Sequence, residues 1–366
     1  MQILTSLYIY PIKSTKAIAL QQAKVEELGL FLDRRYMLID ASGICITARN
    51  FPKLTQVHVQ SFKNKLLISA PQMIDITLDL NLLDKAPTPA QIWADKVQAL
   101  HCTTNIDKWF STYLNTPCQL VFCDPTNKRK IKEAKAFVSF ADAYPILLIN
   151  SRSLEQLNCR LENPVSETQL RPNLVVQGDF PFVEDTWKRI KIGEVEFMLS
   201  QACPRCQFIN IDPDSGKSNA KEPLQTLASF RYTQGEVHFG QYLIALNKGV
   251  IKAGDEVIIL ETLYPAFYSA QSDATATKKT RINIEYLPLN VIKKGNNQGL
   301  LLEQAEQAGI PLPHACRNGI CGRCRVKLIS GEVIQLNDSA LSEQQKEQGY
   351  ILSCSCIPLS DISIDY

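Results

Sequence analysis

Several things are scarce or missing in these 366 residues. No apolar run approaches the roughly 18–20 residues that cross a bilayer as a helix, so no membrane partner is expected. Excess charge of either sign is missing too: 39 Lys and Arg stand against 37 Asp and Glu, a net +2. That balance gives no broad field for a nucleic acid polymer or an anionic surface. Neither G-x-G-x-x-G nor another nucleotide-cradling loop occurs, so any nicotinamide or flavin chemistry is expected from a separate protein. There is no internal repeat. The first ten residues alternate like a strand and carry neither a basic stretch nor a small-residue cleavage site, so no signal peptide is expected.

Cysteine, by contrast, is plentiful. Twelve of them in a large chain without a secretion signal read as reduced thiols and metal ligands, and the expected compartment is the cytoplasm. Apolar content of 45% and charged content of 21% suit a globular protein of two or three domains.

Patterning predicts a mainly β chain with α+β character. Residues 1–125 show short alternating runs at 4–10, 36–40, 66–70 and 74–80, and a helix over 105–114 with Ile106, Trp109, Phe110 and Tyr113 on one face. Thr104 or Asn105 is the expected cap of that helix. Residues 126–265 mix strands at 146–149, 174–177, 190–192 and 195–199 with a helix from 151 to 158, capped by Ser151 or Ser153. Residues 254–260 read as a closing hairpin arm. The run Lys128-Arg129-Lys130, with Lys132 and Lys135, is either a steering patch for an anion or a solvated loop. Residues 266–280 form the expected linker, since 269–280 lack any large apolar side chain. The last domain, 281–366, has strands at 281–287, 325–329 and 362–364 and a helix over 300–308.

In that last domain, His314-Ala-Cys-Arg-Asn-Gly-Ile-Cys-Gly-Arg-Cys324 places Cys316, Cys321 and Cys324 at C-x4-C-x2-C spacing, and Cys354 follows downstream. This is the plant-type arrangement for a [2Fe-2S] cluster held by four thiolates. Gly319 and Gly322 permit the tight turns such a loop needs. A zinc site would want a second C-x2-C pair, and a Rieske site a second histidine beside His314. Cys356 competes with Cys354 for the fourth ligand position. The domain resembles the plant-type ferredoxins, which implies a β-grasp fold.

The middle domain carries Gln201-Ala-Cys-Pro-Arg-Cys-Gln-Phe-Ile-Asn-Ile-Asp-Pro-Asp-Ser-Gly216. Arg205 beside Cys203 and Cys206 favours a thiolate. On spacing alone a half zinc site, a redox dithiol and inert buried thiols all stay open. Further stretches carry a resemblance. They are Tyr10-Pro-Ile-Lys-Ser14, Gly29-Leu-Phe-Leu-Asp-Arg-Arg-Tyr-Met37, Thr47-Ala-Arg49, Ser139-Phe-Ala-Asp-Ala-Tyr-Pro145, Leu170-Arg-Pro-Asn-Leu174 and Phe239-Gly-Gln-Tyr-Leu243. With the cysteine stretch, and in this order, they resemble the MOSC family of molybdenum-cofactor proteins together with its N-terminal β-barrel domain, over about residues 1–262.

The resemblance implies that Cys206 ligates molybdenum. It implies that Lys13, Ser14, Arg34, Arg171, Asn173, Arg205 and Tyr242 surround the pterin or its phosphate (molybdopterin), with Asp142 in the same pocket. Ala143-Tyr144 departs from the family pattern, which has small hydroxyl residues there. The activity implied is reduction of small N-hydroxylated compounds, such as base analogues and hydroxylamines, in a detoxifying role. Electrons would come through the chain's own cluster from an NAD(P)H-dependent flavin reductase. The competing readings are a sulfur carrier with a Cys206 persulfide and a plain electron-transfer adaptor.

Overall fold

The computed structural model describes all residues except 1, 132–133, 135, 220, 234, 267, 269–280, 298, 315–321, 336–337 and 339. Residues 267 and 269–280 of the expected linker 266–280, and the cysteines 316 and 321, therefore lie outside the described residues. The chain forms two compact units. One comprises Met1–Asp179, Trp187–Gln225 and Phe239–Thr262; the other comprises Phe180–Thr186, Thr226–His238 and Leu263–Tyr366. Strands dominate both, as the patterning predicts.

The first unit is built on a large sheet ordered Ile18–Leu20, Ile3–Ile9, Leu174–Gln177, Ile146–Asn150, Glu236–Ala245, Val195–Pro204, Trp187–Ile192 and Val257–Thr262. Strand Ile146–Asn150 is buried along its whole length and runs parallel to Leu174–Gln177. A continuous apolar run suits a strand covered on both faces. The helix Ser151–Asn158 follows it and is capped by Asn150, whose side chain accepts from Arg152 N–H at 3.0 Å. The cap thus falls one residue before the expected serines, because Asn150 ends the strand in extended geometry and its amide oxygen reaches the free N–H first. Gly240 sits at φ +79°, and a Cβ there would lie 2.6 Å from Leu148 O. Only glycine lets the strand approach so closely, which places Tyr242 opposite Leu147.

The arm at 254–260 does not close a local hairpin. Val257–Thr262 pairs with Trp187–Ile192, and the preceding strand Gly249–Lys252 pairs with Gln22–Glu26. The turn through Gly254, at φ +95°, hands the chain from one sheet to another.

Alongside lies a five-stranded sheet, Pro87–Ile92, Asp95–His101, Gln119–Cys123, Tyr36–Ile39 and Cys45–Ile46, and a three-stranded one, His58–Phe62, Lys65–Ser69 and Ile76–Asp79. Helix Thr104–Leu114 buries Ile106, Trp109, Phe110 and Tyr113, the face that the spacing predicts. Its N-cap residue is Thr103, without a side-chain cap bond, in place of the expected Thr104 or Asn105. The first turn is tied down by Asp107 instead, which accepts from Leu120 N–H at 2.8 Å and holds His101 Nε2 at 2.7 Å. Asp84 takes His101 Nδ1 at 2.9 Å.

Burial disfavours the imidazolium of His101, but the two carboxylates outweigh it and raise the imidazole's pKa. A raised folded-state value means the stabilisation is complete below the ordinary histidine value near ~6.5 and is lost as pH rises through the folded value. The melting temperature of wild type is therefore expected to fall between pH 6 and 9 more steeply than that of His101→Gln. Parallel slopes would remove His101 from the account.

In the cation run at 128–130, Lys130 is exposed while its two neighbours are engaged. Lys128 pairs with Glu27 at 2.6 Å, and Arg129 turns inward to the carbonyls of Ala141 and Asp142. Lys132 and Lys135 lie outside the described residues.

The second unit holds a mixed sheet ordered Val291–Asn296, Arg281–Tyr286, Ile362–Asp365, Arg325–Ser330 and Tyr350–Leu352. Arg281–Tyr286 and Ile362–Asp365 run parallel. Helix Leu301–Gln307 buries Leu301, Leu302 and Ala305 into a core with Ile284, Tyr286, Val326 and Ile364.

Candidate functional site

A cluster of charged and sulfur-bearing side chains gathers in the first unit where the loops after several strands converge. Cys206, half-buried, opens the short 3-10 turn Gln207–Asn210. Its Sγ accepts from Arg49 Nη2 at 3.1 Å. Arg49 also approaches Asp142 Oδ2 at 3.7 Å and stacks on the Trp93 ring at 4.3 Å. Asp142 accepts from Lys13 Nζ at 2.5 Å and from Trp93 Nε1 at 3.3 Å. Desolvation would raise the Asp142 carboxyl, but Lys13 and Arg49 outweigh it and hold the group well below the usual carboxylate range. It is an acceptor at neutral pH.

Behind this row lies a second layer. Tyr10 is fully buried between two guanidinium groups, Arg34 at 4.3 Å and Arg171 at 4.0 Å from its ring centre. Its hydroxyl donates to Pro172 O at 3.1 Å. Arg34 pairs with buried Asp33 at 2.5 Å and donates to Asn173 Oδ1 at 2.8 Å. Asn173 is fully buried and also takes Leu147 N–H and donates to Tyr8 O, so its amide is spent on positioning Arg34 and the strand. Ser14 Oγ accepts from Ala48 N–H at 3.1 Å. Ser14, Arg34 and Arg171 all adopt left-handed backbone, at φ 73°, 46° and 57°. Such conformations are costly away from glycine and concentrate where side chains must be aimed at a site.

Cys203 is buried. Arg205 Nη1 donates to its Sγ at 3.2 Å, and Arg205 Nη2 donates to Leu170 O at 2.7 Å. Burial and the neighbouring Cys203 keep the Tyr242 phenol well above its ordinary pKa, so it stays protonated. Tyr144, the departure from the family pattern, stacks on Tyr242 with ring centres 5.1 Å apart.

The sequence-predicted residues Lys13, Arg34, Asp142, Arg171, Arg205, Cys206 and Tyr242 are thus brought into one electrostatic neighbourhood. Sequence reasoning passed over Tyr10, Asp33, Arg49 and Trp93. Thr47-Ala-Arg49 was the available signal for Arg49.

The donor set can be tested against a pterin phosphate and a soft metal. Lys13 and Arg34 are neutralised by Asp142 and Asp33, but Arg171 and Arg205 find only carbonyls and sulfur, with no carboxylate partner among the described residues. Burial pulls Arg171 down to about 10, which still leaves it cationic at neutral pH. Two half-buried guanidinium groups without a counter-ion beside a thiol suit an anionic ligand and a sulfur-seeking metal. The residues fit the molybdenum cofactor.

Tyr10 is the packing centre of this layer. Tyr10→Ala is expected to cost about 3–5 kcal/mol, the range for emptying a buried aromatic site. Tyr10→Phe loses one hydrogen bond and is expected to cost about 1 kcal/mol. Denaturant unfolding of the full chain, followed at a first-unit probe, checks both.

In the second unit, Cys324 and Cys354 are each 1% exposed and their sulfurs face one another at 3.0 Å. Cys324 directly precedes strand Arg325–Ser330, and Cys354 sits in the 3-10 turn Ser353–Ser355. Ser353 N–H and Oγ both bond Cys324 O at 3.0 Å, which locks the two segments together. His314 is engaged with Leu312 O and Glu306.

Comparison with known proteins adds independent findings. The MOSC N-terminal beta barrel domain family matches residues 1–117, the MOSC domain family 136–258 and the 2Fe-2S iron-sulfur cluster binding domain family 290–359. Fold and site define a MOSC-domain protein, a molybdenum-cofactor class, with a [2Fe-2S] domain on the same chain. Mitochondrial amidoxime-reducing component 1 of Mus musculus is 34% identical over 275 residues, covering 69% of this chain and 81% of that protein. The Homo sapiens protein of the same name is 32% identical over 279 residues, covering 69% and 82%. Molybdenum cofactor sulfurase of Oryza sativa is 31% identical over 281 residues, but only 34% of that protein is covered. A ferredoxin reductase in carbazole 1,9a-dioxygenase shares 29% identity over 25% of this chain and 28% of its own, at a TM-score of 0.23, a likeness too slight to argue from. The chain belongs to the amidoxime-reducing component family of MOSC proteins. No helix among the described residues is long and apolar enough to cross a membrane.

Proposed function

We propose that this chain reduces small N-hydroxylated compounds, amidoximes and hydroxylamines among them, at a molybdenum cofactor bound through Cys206. In the net change, two electrons and two protons convert an N–OH group to N–H and release one water. The observation that carries the reading is the half-buried Cys206 thiol beside Arg49, with Arg171 and Arg205 lacking carboxylate partners among the described residues, in a chain of this family. When bound, the cofactor supplies a two-electron couple and the [2Fe-2S] cluster supplies single electrons.

The chain's own residues do the rest. Cys206 offers the thiolate, and Arg49 donates to its sulfur and stabilises that charge. Arg171 and Arg205 hold the anionic end of the pterin; Asn173 and Tyr10 aim Arg34 and Arg171. Ionised Asp142 fixes the Lys13 ammonium, and protonated Tyr242 keeps a hydroxyl in the pocket. Cys316, Cys321, Cys324 and Cys354 hold the cluster. A separate NAD(P)H-dependent flavin reductase delivers the electrons, since this sequence has no nucleotide loop of its own. A cytoplasmic location and a detoxifying role belong to the same proposal.

Anaerobic turnover of benzamidoxime to benzamidine with a reduced viologen dye tests the reading. Stoichiometric product supports it. No product, together with a persulfide on Cys206 found by alkylation and mass spectrometry, would instead make the chain a sulfur carrier.

A further inference from the structure

In the second unit a short strand, Val333–Gln335, pairs antiparallel with Cys356–Pro358, which sets Ile334 opposite Ile357 and Gln335 opposite Cys356. Side chains alternate across a strand. Ile334 is 47% exposed and faces solvent, whereas Val333 packs against the core of the unit. Gln335, half-buried, shares the inward side with Val333. A glutamine turned inward costs free energy unless its amide is hydrogen-bonded. A leucine of nearly the same shape would serve packing alone, so the amide has another use.

Its bonds go to the short segment that carries Cys354. Gln335 Oε1 accepts from Leu352 N–H at 3.0 Å. Gln335 Nε2 donates to Ser355 O at 3.1 Å and to Ser355 Oγ at 2.8 Å, and lies 3.5 Å from Leu352 O, the outer limit of a bond. One side chain thus grips the chain two residues before Cys354 and one residue after it. Ser353 N–H and Oγ tie the same turn to Cys324 O. The thiol held between these grips lies 3.0 Å from Cys324 Sγ. Gln335 stands 17 and 20 positions from its partners, so no local motif announces it.

We infer that Gln335 is a positioning residue for the [2Fe-2S] cluster: it fixes the Ser353–Ser355 turn and, through it, the direction in which the Cys354 thiolate is presented. This rests on the assignment of Cys354 as a ligand proposed above. A ligand turn that can rock lets its sulfur leave the iron, and partners that orient a metal ligand are typically worth roughly 10–100-fold in metal affinity or activity. Gln335 acts through the backbone and not on the sulfur itself, so the low end of that range applies.

The test uses the full chain with its cofactors, as wild type, Gln335→Leu, Gln335→Glu and Gln304→Leu. Gln304 is the control. It is buried in the same unit and makes a comparable set of amide bonds, to Asn296 N–H at 2.6 Å, Asn296 O at 3.0 Å and Gly299 O at 2.6 Å, in a loop that carries no cysteine. Release of iron to excess EDTA is expected to be on the order of 10-fold faster in Gln335→Leu. The visible circular dichroism of the cluster, which reports how the ligands are arranged around it, is expected to change in the same variant. Gln304→Leu is expected to lower the melting temperature while release and dichroism stay at wild-type values. Gln335→Glu keeps the acceptor for Leu352 N–H and loses the donor to Ser355, so its release rate is expected between the two. It decides alone if the Leu variant does not fold. Wild-type release and dichroism in the Gln335 variants would overturn the role. So would an equal acceleration in Gln304→Leu, because that pattern belongs to a general loosening of the unit. Cys354→Ser separates this role from the assignment beneath it. Two irons kept in that variant would sink the ligand assignment and the role with it; iron lost there, with wild-type release in Gln335→Leu, would sink the role alone.

Discussion

Cys206→Ser is expected to abolish reduction of N-hydroxylated compounds, by at least about 100-fold, while the visible absorption of the iron–sulfur cluster stays at its wild-type intensity. The lower bound is set by the roughly 10–100-fold typical of losing a mere supporting partner of a metal ligand, and Cys206 is proposed as the ligand itself. Its sulfur is the half-buried one of the C-x2-C pair, while Cys203 is buried against Arg205. Serine keeps the volume and the hydrogen-bond capacity toward Arg49 but is a harder, far less acidic donor. The first unit should therefore fold normally and lose its molybdenum. Activity retained in this variant would remove Cys206 from the mechanism.

Cys354→Ser is expected to lower bound iron from two per chain towards none and to bleach the visible spectrum, whereas Cys356→Ala keeps both. The two residues are only two positions apart, and spacing alone leaves them in competition. The geometry favours Cys354: its Sγ lies 3.0 Å from Cys324 Sγ, while Cys356, equally buried, belongs to strand Cys356–Pro358. Turnover with a physiological flavin-type donor should fall to background in the Cys354 variant. The reverse pattern, iron kept without Cys354 and lost without Cys356, would reassign the fourth ligand.

Much of this was legible beforehand, for physical reasons. Short apolar runs announced strands at 146–149 and 174–177, observed as Ile146–Asn150 and Leu174–Gln177, and helical spacing announced the buried face of Thr104–Leu114. The cysteine spacings are local and survive without tertiary context. Caps were less legible, because Asn150, Ser151 and Ser153 all have oxygens that can reach a free N–H, and only the strand's exit angle selects Asn150. The roles of Asn173 and Arg49 were hidden for a different reason. An asparagine in a pocket motif suggests ligand contact, and this one also accepts from Arg34 and Leu147 N–H and donates to Tyr8 O. Arg49 meets Cys206 across 157 positions, and no local pattern encodes that encounter. Trp93 was invisible because a tip residue between Ile92 and Ala94 carries none of the glycine or asparagine signals of a tight turn.

The central claim is that one thiol of the first unit holds molybdenum in an enzyme that reduces N–O bonds. Metal and pterin analysis of the purified full chain, made in cells able to assemble both cofactors, tests it most directly. The account predicts molybdenum and pterin near one per chain alongside two irons, with molybdenum lost and iron kept in Cys206→Ser. A wild-type chain that repeatedly carried its iron but never molybdenum would contradict it.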